Sequence, residues 1–258
     1  MTAPSRRFVT DVAVCLMFCT RLPLATSMPA AGGDVARAGW ALPVAGALVG
    51  ALGGLAYWLA VRLGLPPLVA AALALAAGMV VTGCLHEDGL ADTADGFGGS
   101  DRERRLEIMR DSRLGTYGAC ALLISLLLRW SALASIADAR AVALTLVAAH
   151  AAARAPLPAF MALVPPARSD GLAAAAGPPP QAAVAAAGLL GVLALGLCLG
   201  PTAALAALVL LAAAVIMARM IVKAIGGHTG DVLGALEQIN EILVLLVAAA
   251  FARPGASA

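Results

Sequence analysis

Charge is scarce in this sequence. Asp, Glu, Lys and Arg make up 12% of its 258 residues and apolar residues 62%, against roughly 25% and 45–50% in soluble domains. Mean hydropathy is +0.94. Folding cannot hide that much apolar surface from water, since even a domain of about 300 residues buries only ~75% of what its chain exposes. A single soluble enzyme domain is excluded. The composition predicts an all-α, polytopic integral membrane helical bundle.

Lysine is almost missing: Lys223 stands alone against sixteen arginines. A net charge of only +2 gives no global field for binding nucleic acid. Cysteine pairs are missing as well. Cys15, Cys19, Cys84, Cys120 and Cys198 are odd in number and contain no Cys-x-x-Cys, so neither a disulfide framework nor a zinc site is indicated. Cys84 beside His86 is at most half a metal site. No repeat, low-complexity tail or second domain is visible, and 1–258 reads as one membrane-embedded domain. Arg6 and Arg7 before an apolar run imitate a signal peptide. Asp11 within that run, Arg21 behind it and the lack of a small-x-small cleavage site predict that the segment is kept.

What is abundant is long apolar runs. A membrane helix needs about 20 mostly apolar residues, and 38–61, 63–85, 114–137, 141–164, 182–199 and 202–222 approach or exceed that length. A last helix ends in 242–252, and 8–24 is too polar for an assured span and is read as spanning, re-entrant or interfacial. The total is about seven or eight hydrophobic segments. Gly46 and Gly50 form a GxxxG suited to close helix packing in lipid. Two polar islands interrupt the pattern, 86–113 and 223–241. The first holds thirteen of the 32 charged residues in 28 positions. Four spans separate the islands, so both emerge on one side, and the arginines of the first place that side in the cytoplasm.

Within the first island, Asp88, Asp92 and Asp95 recur at i, i+4 and i+7, within about 60° of arc on a helix. Like charges on one stripe cost helix stability unless a cation sits among them. Oxygen-only ligands favour Mg²⁺, Mn²⁺ or Ca²⁺ over zinc, and Mg²⁺ completes its shell with substrate phosphates. The alternative is a solvated acidic loop; the place of the stripe at a membrane helix end, with Gly89 and Gly96 leaving room, favours the metal. Glu87 lies about 100° off the stripe, in an outer shell. His86 either orients a ligand or phosphate or is an interfacial polar residue. Ser100 and Glu103 read as a capping box that starts a short helix. Arg110 and Arg113, with Asp111 between them, suit a diphosphate or else lipid headgroups.

The second island holds glycines at 226, 227, 230 and 234, which permit close ligand approach, flanked by Arg219 and Lys223. Its backbone amides around Thr229 and Gly230 are candidates to face an anion, and Asp231 is the carboxylate expected to join the first stripe. Glu237 reads as snorkelling to water and Glu241 as functional. Arg154, near mid-span, is expensive in lipid and is expected to face a polar interior, with His150 as an interhelical hydrogen bonder.

Taken together, three motifs resemble the cobalamin synthase family: His-Glu-Asp-Gly-Leu-Ala-Asp-Thr-Ala-Asp-Gly at 86–96, Glu-Ile-Met-Arg-Asp-Ser-Arg-Leu-Gly-Thr-Tyr-Gly at 107–118, and Gly-Gly-His-Thr-Gly-Asp-Val-Leu-Gly-Ala at 226–235. Shorter matches at 18–23 and 43–46, and Glu241 near the end, extend the likeness along nearly the whole chain. His228 is a position the family is not expected to fix. The resemblance implies an adenosylcobinamide-GDP ribazoletransferase of the bacterial inner membrane that joins adenosylcobinamide-GDP to α-ribazole or its 5'-phosphate and releases GMP. It implies Mg²⁺ on Asp88, Asp92, Asp95 and Asp231, with Asp95 the choice for catalytic base. Substrate contacts are expected from His86, Glu87, Arg110, Asp111, Arg113, Arg154, Arg219, Lys223, Thr229, Gly230 and Glu241. Other partners are membrane lipid and no nucleic acid, and a homo-oligomer is compatible with the sequence. Alternatives are a CDP-alcohol or prenyl-diphosphate type transferase, whose full patterns are not found, and a cation or metabolite transporter, whose inverted repeats and midplane acids are not visible.

Overall fold

The computed structural model describes residues 3–23 and 32–252, and these are helical throughout apart from short connections. Thirteen α-helices follow one another among them: α1 Ala3–Cys19, α2 Gly32–Ala38, α3 Leu42–Arg62, α4 Pro67–Thr82, α5 Leu85–Gly96, α6 Arg102–Ile108, α7 Thr116–Ile136, α8 Ala139–Arg154, α9 Leu157–Leu163, α10 Leu172–Ala176, α11 Gln181–Leu199, α12 Ala203–Ile225 and α13 Gly230–Phe251. The all-helical membrane bundle is as the composition predicts.

Five stretches are long and apolar enough to cross a membrane: Asp34–Arg62, Thr116–Ile136, Ala139–Leu163, Gln181–Ile225 and Gly230–Phe251, with α4 and α5 together a sixth if counted as one span. The expected seven or eight are therefore not met, for two reasons. α1 has 17 residues and carries Asp11, which pairs with Arg37 and accepts from Trp40 Nε1 at 2.9 Å; it does not qualify, and Leu24, the end of the expected segment, lies outside the described residues. Second, α11 and α12 run on as a single stretch of 45 residues and are counted once, although the chain turns between them. At 1.5 Å per residue such a stretch would be about twice the thickness of a bilayer core. Gly200 (φ +58) and Pro201 joint it, and Gly191 and Leu195 share a cleft with Leu210 and Ala214, so the chain doubles back there.

Small residues set the packing. Gly46, Gly50 and Gly54 lie at i, i+4 and i+8 on α3, facing the α8 backbone. A Cβ on Gly46 would stand 2.1 Å from the His150 carbonyl oxygen and one on Gly50 2.3 Å from that of Leu146. The GxxxG read from the sequence thus seats α3 directly on α8.

α13 is the central element. Its first turns join one apolar cluster through Val232, Ala235 and Leu236, and its later turns join another through Val244 and Leu245. Between the two lie Glu237, Gln238, Asn240 and Glu241, all buried. The second element that matters is α5. Two consecutive left-handed residues, Gly83 (φ +64) and Cys84 (φ +57), turn it 89° away from α4, so it leaves the spanning direction. Left-handed backbone costs a non-glycine residue about 1–2 kcal/mol, which the fold bears at Cys84 to make the bend.

Candidate active site

The bend lays α5 across the start of α13, and glycine makes the crossing possible. A Cβ on Gly89 would stand 2.7 Å from the Asp231 carbonyl oxygen and 3.2 Å from the Gly234 Cα. The two polar islands therefore meet, as the span parity suggested, and Asp231 comes to the acidic stripe of α5. Asp88 is exposed, Asp92 and Asp231 half-buried and Asp95 buried. Burial, then the neighbouring carboxylates of Asp88, Asp231 and Asp95, push the Asp92 carboxyl up to about 7. A half-buried patch of one charge is the electrostatic preparation for a cation.

The four acids are not equivalent. Asp95 accepts from the backbone N–H of Gly115 at 2.8 Å and of Gly118 at 2.9 Å, one on each carboxylate oxygen. It thereby caps α7 with a full charge, which the helix dipole favours. A Cβ on either glycine would come within 2.4 Å of an Asp95 oxygen, which explains the Leu-Gly-Thr-Tyr-Gly run. Asp231 accepts from the Thr229 hydroxyl at 3.1 Å and stands 3.5 Å from Arg168 Nη2. Thr229 is at the same time the N-cap of α13, accepting from the Val232 N–H at 3.3 Å, and Gly230 is the first residue of that helix.

Arg168 is a cation that sequence reasoning missed, because 165–181 reads only as a loop. A short pairing holds that loop in place. The Ala167 N–H donates to the His228 carbonyl and the His228 N–H to the Pro165 carbonyl, each at 2.8 Å. A Cβ on Gly227 would stand 2.1 Å from the Pro165 oxygen, so part of the second glycine motif exists to admit this loop. His228 is buried, with Nδ1 2.9 Å from the Val164 carbonyl oxygen, and burial lowers its pKa. Arg102 fastens the same corner, donating to the carbonyls of Ala167 at 2.6 Å and Ile225 at 3.0 Å. Arg168, His228, Thr229 and Asp231 line a cavity of about 220 Å³, and Arg102, Arg110, Arg168 and Asp170 line a wide cleft of about 740 Å³.

The remaining expected residues fall into two groups. Arg110 pairs with Asp170 at 2.7 Å and Arg113 with Asp111 at 2.5 Å, all on the surface; Arg113 holds Asp111 at about 2. Arg219 and Lys223 are exposed and have no ion pair among the described residues. The capping box shifts by one residue: Asp101, not Ser100, caps α6, accepting from the Arg104 N–H at 2.9 Å, while the Ser100 hydroxyl donates to its other oxygen at 2.8 Å. Glu103 stays exposed: with Asp101 as the cap, the reciprocal capping-box position falls to Arg104 instead.

His86, Glu87, Arg154 and Glu241 lie elsewhere, in a closed interior network. Arg129 Nη1 donates to Glu87 at 3.1 Å and to Glu241 at 3.2 Å. Arg154 pairs with Glu237 at 2.5 Å and its Nη2 lies 3.4 Å from His86 Nδ1. His150 stands 3.3 Å from Glu241. Glu237 is fully buried, which corrects its reading as a snorkelling acid: Arg154 gives it a partner inside. Among the described residues, His150, Glu237 and Glu241 form a group whose possible ligand atoms all lie within 4.8 Å of one another. The two guanidiniums against it make it an ion-pair network. Arg129 was visible in the sequence as a charge inside a span, the same signal that singled out Arg154.

The profile of the cobalamin-5-phosphate synthase family matches residues 11–249. The chain is 60% identical to the adenosylcobinamide-GDP ribazoletransferase of Bradyrhizobium diazoefficiens over 97% of each chain. It is 51% identical to the one from Mesorhizobium japonicum over 96% of each, and 42% identical to that of Ralstonia nicotianae over 96% of this chain and 97% of the relative. No solved structure matches it. With the profile spanning both islands and the helices between them, the chain belongs to the cobalamin-5-phosphate synthase family.

Proposed function

We propose that this protein is an adenosylcobinamide-GDP ribazoletransferase: it joins adenosylcobinamide phosphate to α-ribazole or its 5'-phosphate and releases GMP, at a site facing the cytoplasm. The observation that carries the chemistry is the meeting of Asp88 and Asp92 with Asp231 at the α5–α13 crossing. A hard divalent cation such as Mg²⁺ fits this donor set, which is all oxygen, like-charged and half-buried. When bound it would supply positive charge against the diphosphate. Asp88, Asp92 and Asp231 would hold it, with Asp95 adjoining.

Phosphoryl transfer asks the protein for positioning and charge stabilisation more than for covalent chemistry. The ribazole 3'-hydroxyl oxygen forms a bond to the phosphorus that carries the cobinamide arm, the bond from that phosphorus to the GMP oxygen breaks, and the hydroxyl loses its proton. The sequence pointed to Asp95 for that proton. Both Asp95 oxygens already accept backbone amides, so Asp95 is not free to take it, and the proton passes to water in the open cleft. Arg168, 3.5 Å from Asp231, supplies positive charge for a substrate phosphate, and the open cleft beside it suits a substrate too bulky for a closed pocket. Arg110, Arg113, Arg219 and Lys223 are left as outer contacts for phosphate or lipid headgroups.

The test is GMP release and cobamide formation by purified protein with Mg²⁺ or with EDTA. Mg²⁺-dependent product that disappears in Asp92→Asn supports the reading. Full turnover in EDTA sinks the cation role while leaving the reaction, and uptake into sealed vesicles without GMP release would mark a transporter.

A further inference from the structure

At the crossing of α5 and α13, the two helices meet glycine to glycine. A Cβ added to Gly234 would stand 3.3 Å from the Gly89 Cα and 3.4 Å from the His86 Cα. Such a contact brings backbones close but offers no side-chain ridges, and ridges are what select a crossing angle. At that point the crossing angle is left to the groups on either side. On one side of it Asp88, Asp92 and Asp231 repel one another and drive the helices apart. On the other side Arg129 reaches both helices at once, through Glu87 of α5 at 3.1 Å and Glu241 of α13 at 3.2 Å. Glu87 directly precedes Asp88, and Glu241 lies about 15 Å along α13 from Asp231.

We infer that Arg129 is a positioning residue for the acidic site: by tying Glu87 to Glu241 it fixes the angle of α5 on α13, and with it the spacing at which Asp88 and Asp92 meet Asp231. It touches neither substrate nor cation. The inference rests on reading those acids as a cation site.

Two features mark the tie as geometric rather than merely stabilising. A buried ion pair is weak evidence for stability, since apolar residues of similar volume often serve as well. This one is also incompletely satisfied: Arg129 Nε and Nη2 and Glu87 Oε2 have no hydrogen-bond partner, and they adjoin a cavity of about 10 Å³, room for one water. Both bonds come from one nitrogen, Nη1, so what the guanidinium supplies here is a shared donor held in place by a rigid planar group, where an ammonium would sit on a flexible stem.

The experiment is Mn²⁺ binding to the purified full chain, read by the EPR signal of free Mn²⁺, alongside the Mg²⁺ dependence of GMP release. Two variants are compared with the wild type. The triple variant Arg129→Met, Glu87→Gln, Glu241→Gln removes the tie and leaves no unpaired charge. Arg129→Lys keeps the charge and removes the planar group that holds the shared donor. Both are expected to bind Mn²⁺ more weakly, by about 10–100-fold for the triple variant and less for Arg129→Lys, with the Mg²⁺ needed for half-maximal activity rising in parallel. Wild-type Mn²⁺ affinity in either folded variant overturns the inference while the cation reading stands. A wild-type protein that binds no Mn²⁺ and ignores Mg²⁺ overturns both.

Discussion

Two clusters of charge share the same pair of helices and follow opposite rules. On the outer face of the α5–α13 crossing, Asp88, Asp92 and Asp231 accumulate one sign, with Arg168 the nearby cation at 3.5 Å from Asp231. Inside the bundle, Glu87, Glu237 and Glu241 are matched by Arg129 and Arg154. Glu87 and Asp88 are sequence neighbours, yet the helical period sends one inward to a guanidinium and the other out to solvent. The comparison teaches that residue type alone does not distinguish an acid left in a like-charged patch from one framed by guanidiniums. The presence of a built-in counter-charge does.

The largest effect that would break this comparison is expected at the outer face. Asp92→Asn should lower GMP release by about a thousandfold, the equivalent of several kcal/mol of lost charge stabilisation, with little change in thermal unfolding. Inner substitutions should do the reverse. Arg154→Met leaves the buried Glu237 without its counter-charge, with only Gln238 Nε2 donating to it, and should cost about 3–5 kcal/mol of stability, seen in thermal unfolding in detergent. The double variant Arg154→Met, Glu237→Gln should recover most of that loss. If single and double variants unfold alike, the interior is not a charge-matched network.

Gly118→Ala probes the join between the two regions. Its Cβ would press within 2.4 Å of an Asp95 oxygen; overpacking of that kind costs about 1–3 kcal/mol, and activity should fall about tenfold as α7 loses its carboxylate cap. Unchanged unfolding and turnover would show that Asp95 does not hold the helix. The smallest effect is expected at Arg113→Ala. The Arg113–Asp111 pair is exposed, so unfolding should shift by well under ~1 kcal/mol, and a clear rise in the KM for either substrate would assign Arg113 to phosphate binding instead.

Much of this was legible in the sequence, for physical reasons. Apolar runs must become helices because lipid leaves no other way to satisfy the backbone. The i, i+4, i+7 acids must share a face, and Gly46 and Gly50 had to pack closely. Other parts were not legible. The inward turn of His86 and Glu87 depends on the 89° bend at Gly83 and Cys84, which nothing in local propensity requires of a cysteine. Arg168 reaches Asp231 only because backbone pairing with His228 carries its loop there, a contact across some sixty residues that leaves no periodic trace. Glu237 looked like an acid at the water's edge until Arg154 was placed beside it.

The bend before α5 has one more consequence. By turning a membrane-inserted chain sideways, it makes the acids a shelf at the rim of the bundle instead of the lining of a shaft. A shelf can serve a large macrocyclic reactant that no gap between helices would admit. On the proposed reading of these acids, reactants and products come and go by the same open water, and turnover requires no parting of the spans. The cycle should accordingly be indifferent to the thickness and fluidity of the surrounding bilayer, and governed by how fast bulky molecules land on the ledge and leave it.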